Sequence, residues 1–581
     1  TLSPALCALL LRPYIDENGK EKNNFAARFR KAFNAAFGVI IEKYKYCVLF
    51  FIKRRWLTWS LLVCSLVILT LLMRSTKSGL VPDEDQGVVF VNVSTAAGNS
   101  LATTDRVMTR IEERIKNIPQ VKAYSKVAGY GLLAGQGNSF GMFILKLKPW
   151  DERPDKEDAV QTVIGQIYGR TADIKDASVF AIAPGMIPGY GMGNALEMHM
   201  QDKTDGDLTT FFNTTQQYLA VLRERPEIAM AYSTFSINYP QWMVEVDASK
   251  CKRAGVTPDA VLGTLSGYYG GQYVSNFNRF SKVYRVMIQA APEYRLDEAS
   301  LNNTFVKVGN EMAPLSQFIT LTRVYGAETL SRFNMYNSIA VNAMPADGYS
   351  SGDAIKAVKE VAGTSLPKGY SFDFGGITRE ENQQGSGTTI IIFAICILMI
   401  YLILSALYES FIIPFAVILS VPCGLMGTFL FAKMFGLENN IYLQTGLIML
   451  IGLLAKTAIL LTEYAAERRA AGMGLISAAL SAAKARLRPI LMTALTMIFG
   501  LLPLMVSSGV GANGNRSLGT GTVGGMVIGT LALLFIVPSL FVVFQYLQEK
   551  VRPVHINEHP DWEIQVEKEK SEQEKKEVGK K

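Results

Sequence analysis

The apolar positions of the chain fall into two kinds of run. The first kind is long and nearly free of charge. Residues 57–73, 388–407 and 411–432 carry no charged side chain, and 441–462 carry Lys456 and no other charge. Residues 489–508 and 518–544 complete a set of six. Each approaches the length of about 20 apolar residues that crosses a bilayer. The first eleven residues, TLSPALCALLL, read as the end of a seventh span within residues 1–12, with no signal peptide before them. The chain is therefore expected to be a fragment or a processed piece.

The second kind of run is short and alternating, and it fills the stretch between the first and second full spans. GVVFVNVST is strand-like, LATTDRVMTRIEERIKNI has helical periodicity, and VKAYSKVAG and FGMFILKLK are strands. A helical stretch, DKEDAVQTVIGQIYGR, and a strand, ASVFAIA, follow. The order is βαββαβ, that of a ferredoxin-like split unit. A second such unit is divided. ALEMHMQ, a helix over 207–224 and IAMAYSTF form one half; SIAVNAM, a helix over 352–362 and YSFDFGG form the other. The residues between, 238–330, read as an inserted domain containing QWMVEVD, a helix in PDAVLGTLSGYYG, and strands YVSNF and VYRVMIQA. The fold class is thus an α-helical membrane bundle plus an α+β extramembrane block.

Charge orients this scheme. Lys53, Arg54 and Arg55 precede the first full span, and Arg468, Arg469, Lys484, Arg486 and Arg488 lie between the fourth and fifth. The positive-inside rule puts both clusters in the cytoplasm, and the block between residues 78 and 386 on the opposite side. In a Gram-negative cell that side is the periplasm. Residues 20–46 carry basic residues and Phe at helical spacing, as an amphipathic helix on the inner membrane surface does; a solvated linker helix is the plainer alternative. The tail 547–581 is rich in both signs of charge, with eight Lys/Arg and eight Asp/Glu in its last 32 residues, and is expected to be disordered and cytoplasmic.

Composition narrows the chemistry. The chain has 581 residues, a net charge of +8, six Cys and three His. Only Cys251 lies in the long polar middle, so an internal disulfide there is excluded. Two of the His fall in the last thirty residues, which argues against a His-based metal site. GYGLLAGQG is Gly-rich but lacks a following GK[ST], so it is not a phosphate loop. No Ser/His/Asp or Cys/His set is apparent, and the chain is read as a non-enzyme without a cofactor.

Lys456 stands out because it lies mid-span. A charge at that depth costs about 2.5–3.5 kcal/mol or more, so it needs an acidic partner. The nearest acid on the same helix is Glu463, about 10 Å along the axis, and no other span of the chain carries a deep carboxylate. The partner is expected on another polypeptide segment. A snorkelling Lys or a structural ion pair is the competing reading.

Several stretches together resemble the resistance–nodulation–division (RND) transporters, in the AcrB-like hydrophobe/amphiphile efflux branch. They are PALCALLLRP at 4–13, LVPDEDQG at 80–87, AGQGN at 134–138, ALYESFIIPF at 406–415, GLLAKTAILLTEYA at 452–465, RLRPILMTALTMIFGLLPL at 486–504 and GTGTVGGMV at 519–527. The resemblance implies the C-terminal half of a twelve-span protein. It implies porter subdomains at 83–184 and at 185–237 with 331–376, a docking subdomain at 238–330, and transmembrane helices at 53–77 and, five in number, at 387–546. It implies proton-driven export of amphiphilic compounds, with Lys456, Arg486 and Thr493 in a proton relay facing an acidic pair of the absent half. It implies a homotrimer in the inner membrane bilayer, a periplasmic membrane-fusion adaptor and an outer-membrane channel, with no nucleic acid.

By the same resemblance, Tyr130, Leu132, Phe143, Phe180 and Ile182 wall a substrate pocket. Gly131, Gly135 and Gly137 lend mobility to a loop between its two parts. Leu132 and Leu133 replace the Phe that family members often carry there. Phe143, Phe180 and Ile182 are equally compatible with a sheet core. Other readings are an exporter of lipid or envelope components, a non-transporting receptor, and metal export through Met142, Met186, Met192, Met198 and Met200.

Overall fold

The computed structural model describes residues 25–82, 84–132, 135–185, 187, 195–346, 348–383 and 387–553. It opens with a long helix, α1 (Phe25–Lys53), joined through Arg54 to α2 (Arg55–Ser75). Phe29, Phe33 and Phe37 are spaced four apart on α1, and their rings stack in sequence. The helical run expected over 20–46 is thus described from Phe25 and extends to Lys53. Its lower end is pinned to the bundle, where Tyr44 donates to the carbonyl of Leu534 at 2.7 Å.

The first extramembrane unit contains β1 (Val88–Thr95), α3 (Leu101–Ile115), β2 (Val121–Gly131), β3 (Gly135–Leu147), α4 (Val160–Thr171) and β4 (Ala177–Ile182). Its antiparallel sheet has the order β2-β3-β1-β4. Period-two alternation places Val89, Val91, Val93, Phe143 and Leu145 on one face, where α3 and α4 cover them in a closed core. The fit there is tight: a Cβ at Gly141 would collide with Met108 of α3.

The second unit starts with β5 (Leu196–Asp202), α5 (Leu208–Arg223) and β6 (Ile228–Tyr232). The chain then leaves for β7 (Tyr239–Val246), α6 (Ala248–Ala254), α7 (Pro258–Leu265), the hairpin β8 (Gln272–Arg279) and β9 (Lys282–Ile288), then β10 (Phe305–Val308), β11 (Glu311–Pro314) and β12 (Ile319–Gly326). This insertion has its own small core around Cys251, Val261, Leu301, Leu315 and Phe318, so the lone Cys acts as a packed apolar residue. The chain returns through β13 (Ser331–Phe333), β14 (Tyr336–Pro345), α8 (Ser351–Ser365), β15 (Tyr370–Phe374) and α9 (Gly376–Gln383). The sheet runs β13-β14-β5-β15, with β6 also on β14, and strands far apart in sequence pair in register. Tyr218 of α5 donates to the carbonyl of Val358 on α8, tying together the two helices that cover it.

The remaining helices are α10 (Gly387–Tyr408), α11 (Pro414–Ile418), α12 (Val421–Met434), α13 (Ile441–Ala470), α14 (Leu475–Met505) and α15 (Ala512–Val551). Together with α2, and with α11 and α12 as one unit, they give six helices long and apolar enough to cross a membrane among the described residues. α15 is central, with 61% of its apolar window buried, whereas α10 is peripheral, with 6%. Glycines explain the close approach of α15. A Cβ at Gly525 would strike Leu450 and Thr428, and one at Gly529 would lie 2.8 Å from Leu454.

Candidate functional site

Lys456 lies at the middle of α13, and the pattern of burial along that helix decides its surroundings. Leu443, Leu447, Leu450, Leu454, Ala458 and Leu461 are buried against α12, α14 and α15. Thr445, Met449, Gly452, Lys456 and Glu463 recur on the other side and are exposed. Lys456 opens into a groove of about 260 Å³ lined by Ile400, Ile403 and Leu404 of α10 and by Gly452, Ala455, Ile459 and Leu460 of its own helix. Every other lining residue is apolar. Lys456 makes no hydrogen bond or ion pair within the described residues. The neighbouring hydroxyl of Thr457 is satisfied by the carbonyl of Leu453 at 3.2 Å.

Arg486 and Thr493 do not join Lys456 in this structure. Thr493 is exposed and donates to the carbonyls of Pro489 and Ile490 on its own helix. Arg486 reaches Tyr464 instead, with its guanidinium carbon 4.3 Å from the ring centroid. Arg468 lies over the same ring at 3.4 Å, and its Nε donates to Ser481 Oγ at 2.7 Å. Tyr464 was not singled out by the sequence, and Arg468 only as part of the basic cluster assigned to the cytoplasm. An aromatic and a cation four apart on a helix were the available signal.

The pocket residues separate by strand parity. Phe180 and Ile182 of β4 sit opposite Asn92 and Phe90 of β1, which in turn sit opposite Met142 and Ile144 of β3. Directly paired residues share a face, so these six line the side of the sheet away from α3 and α4. Phe180 crosses to the second unit, where its ring centroid is 4.8 Å from that of Tyr232. Phe143 corrects the expected set. It is fully buried and faces the helices opposite Val91, so it is core and not pocket wall.

The glycine turn also differs from a free loop. β2 and β3 form a hairpin that pairs Tyr130 with Gln136 and Gly131 with Gly135. Gly135 has φ +80°, a conformation that favours glycine. Tyr130 is exposed at the hairpin tip, and Gly137 packs against the ring of Phe140. The amide of Leu132 donates to Asn92 Oδ1 at 2.9 Å, so an Asn side chain on the sheet face away from the helices holds the tip down. Asn92, Phe90 and Tyr232 were not singled out by the sequence, because their faces depend on pairing register.

The metal comparison loses its strongest pair. Met198 and Met200 are fully buried between the second sheet and its helices. Met142 belongs to the other sheet, and Met186 and Met192 lie outside the described residues. Among the described residues no cluster of three or more His, Cys, Asp or Glu is placed to hold a metal ion.

Two satisfied junctions connect the bundle to the extramembrane units. Arg153, almost fully buried, pairs with Asp85 at 3.0 Å and donates to the carbonyls of Lys148 and Asp158. Beside it, Glu84 accepts from the backbone N–H of Gly514 near the start of α15 at 2.7 Å. The segment after α2 is clasped on its other side. Asn439 donates through its backbone to Lys77, and Gly352, near the start of α8, donates to Ser78.

Six membrane-length helices, a mid-span Lys on an open face, and two α/β units meeting across an aromatic contact define a polytopic membrane protein with a large extramembrane part. The comparisons make this specific. The chain belongs to the AcrB/AcrD/AcrF family of RND transporters, whose sequence profile matches residues 1–545. It is 34% identical over 552 residues to the toluene efflux pump membrane transporter TtgB of Pseudomonas putida (strain DOT-T1E), covering 94% of this chain and 52% of that protein. The multidrug export protein AcrF of Escherichia coli (strain K12) is 33% identical with the same coverage. The multidrug resistance protein MdtF of the same strain is 31% identical, again with that coverage. The chain spans about half the length of the curated relatives it matches.

Proposed function

We propose that this chain is the C-terminal half of a proton-motive-force-driven exporter of amphiphilic and hydrophobic compounds. The observation that carries the reading is Lys456: a mid-span cation on an uncovered face, with no partner among the described residues. A helix does not keep such a charge at bilayer depth without a compensating acid. The acid belongs to a facing segment, and its protonation weakens the attraction to Lys456 and shifts the helix packing. Arg486 and Thr493 serve the same relay. The proton gradient supplies the energy, and no cofactor is needed.

Substrate passes between the two extramembrane units. The face bearing Phe90, Met142, Phe180 and Ile182 offers apolar contact, and Asn92 adds one polar group, a composition suited to varied amphiphiles. Tyr130 and Leu132 form the hairpin tip over that face. The protein works as a homotrimer in the Gram-negative inner membrane, with its extramembrane block in the periplasm. A membrane-fusion adaptor and an outer-membrane channel continue the path, and the insertion 238–330 is the docking layer.

The test is efflux by the full transporter in a pump-deleted Gram-negative host, with assembly matched between wild type and Lys456→Met. The variant is expected to fall to the host background for every substrate. Wild-type efflux by the variant would exclude the relay. Absence of drug export by wild type would move the function to envelope components.

A further inference from the structure

We propose that Tyr168 is a positioning residue of the substrate path: its hydroxyl closes the free edge of β4 and so holds Phe180 in the contact with Tyr232 that shuts the gap between the two extramembrane units. The inference rests on the reading that substrate passes between those units, and it names a residue that sets how readily the gap opens.

The order β2-β3-β1-β4 leaves β4 at the edge of the first sheet. On an edge strand every second residue turns its N–H and C=O away from the sheet, where they need water or a side chain. Ala181 is such a residue, and Tyr168 of α4 satisfies both of its groups with one oxygen. The Tyr168 hydroxyl donates to the Ala181 carbonyl and accepts from the Ala181 N–H, each at 3.1 Å. A phenol carries one proton and free lone pairs, so it can serve both groups at once. A Phe ring at 168 would fill nearly the same volume and serve neither.

The residue held in this way lies between Phe180 and Ile182. Side chains alternate along a strand, so Ala181 faces the helices, in the core, and its two neighbours face the other way. Fixing the backbone of Ala181 therefore fixes where Phe180 points. The ring of Phe180 meets that of Tyr232 with centroids 4.8 Å apart and planes inclined by 56°. Tyr232 ends β6, which pairs with β14 of the second sheet. The contact thus joins β4 of one sheet to β6 of the other. Burial, and then the proximity of Tyr168, raise the Tyr232 phenol above its ordinary value, and burial raises that of Tyr168. Both hydroxyls stay protonated, so the lock is mechanical and does not titrate.

Without the hydroxyl, Ala181 loses its partner, the end of β4 loosens and Phe180 leaves Tyr232 more often. A protein whose open form is only fractionally populated binds its cargo with an affinity reduced by that fraction. A looser lock therefore lowers KM.

The experiment is export of ethidium and Nile red by the complete transporter in a pump-deleted Gram-negative host, with assembly matched. It compares wild type, Tyr168→Phe, Tyr232→Leu, Phe180→Ala and the double variant of Tyr168→Phe with Tyr232→Leu. Tyr168→Phe is expected to lower KM by about threefold to tenfold, the range that the net contribution of one hydrogen bond spans, with kcat unchanged. Tyr232→Leu is expected to lower KM as well, and the double variant to match Tyr232→Leu alone, because both changes act through one contact. Hydrogen exchange in the purified transporter should quicken at residues 177–182 in Tyr168→Phe and stay unchanged at residues 88–95. An unchanged KM in Tyr168→Phe beside a shifted one in Tyr232→Leu would overturn the positioning role. So would fold-changes that multiply in the double variant, or exchange that quickens across the whole first unit. A Tyr168→Phe protein that fails to assemble would assign the hydroxyl to folding and overturn the role too. An unchanged KM in both Phe180→Ala and Tyr232→Leu would place the path elsewhere, and the reading and this inference would fall together.

Discussion

Arg153 and Lys456 are both cations removed from water, and the structure treats them oppositely. Arg153 sits under the first sheet with a carboxylate and two carbonyls on its guanidinium. Lys456 sits on α13 facing an apolar groove, with no partner among the described residues. Desolvation costs both residues, but only Arg153 has the interactions that offset it. The first is thus a structural joint between the end of α2 and the sheet. The second is, on the proposed reading, one side of an interface completed by another segment. Arg153 is buried and fully partnered, whereas Lys456 is exposed at mid-span without a partner among the described residues, so it is the completeness of partners that separates the two roles.

Arg153→Met should produce the largest effect. It strands Asp85 and empties a buried site, and a loss of about 3–5 kcal/mol is expected, read as a lower melting temperature and reduced yield. Phe143→Ala follows, with about 3–5 kcal/mol lost from the helix-covered core. Phe180→Ala, on the other face of the same sheet, should cost about 1 kcal/mol or less in folding while changing the substrate range of export. Equal destabilisation by the two would contradict the assignment of faces. Lys456→Met is expected to leave the stability of this chain expressed alone within about 1 kcal/mol, because no partner among the described residues is lost. A drop as large as that of Arg153→Met would mean that Lys456 is a structural charge.

What the sequence revealed follows the range of the interactions. Charge-free runs and strand alternation are local, so six spans and the order of elements from Val88 to Ile182 could be read directly. The isolation of Lys456 was legible for the same reason: every acid within reach along its own helix could be checked. Phe143 was not, because Phe143 and Phe180 belong to opposite faces only once β3 and β4 are paired with β1. The contact of Arg486 with Tyr464 depends on how α14 lies against α13. The hairpin over Asn92 was hidden because Gly-rich composition marks a turn without telling how far the flanking strands pair.

The smallest effect tests a third kind of charge, neither fully paired nor facing a groove. Glu381 of α9 and Glu438, between α12 and α13, lie where the segment after α2 is clasped. Burial first, and then the charge of Glu438, raise the carboxyl of Glu381 above its ordinary range, although Ser351 donates to it at 2.6 Å. Burial first, and then Asp353, raise Glu438, although Lys77 opposes the shift. Folding therefore favours the protonated forms. The stability they contribute is full below the ordinary carboxyl value of 4.5 and is lost as the pH rises through the raised values. Melting temperature measured from about pH 4 to about pH 8 should fall with a shallower slope in Glu438→Gln than in wild type, and shallowest in the double variant with Glu381→Gln. A wild-type slope of the opposite sign at this junction would mean that Lys77 holds Glu438 ionised. The clasp would then be an ion pair like that of Arg153, complete within the chain.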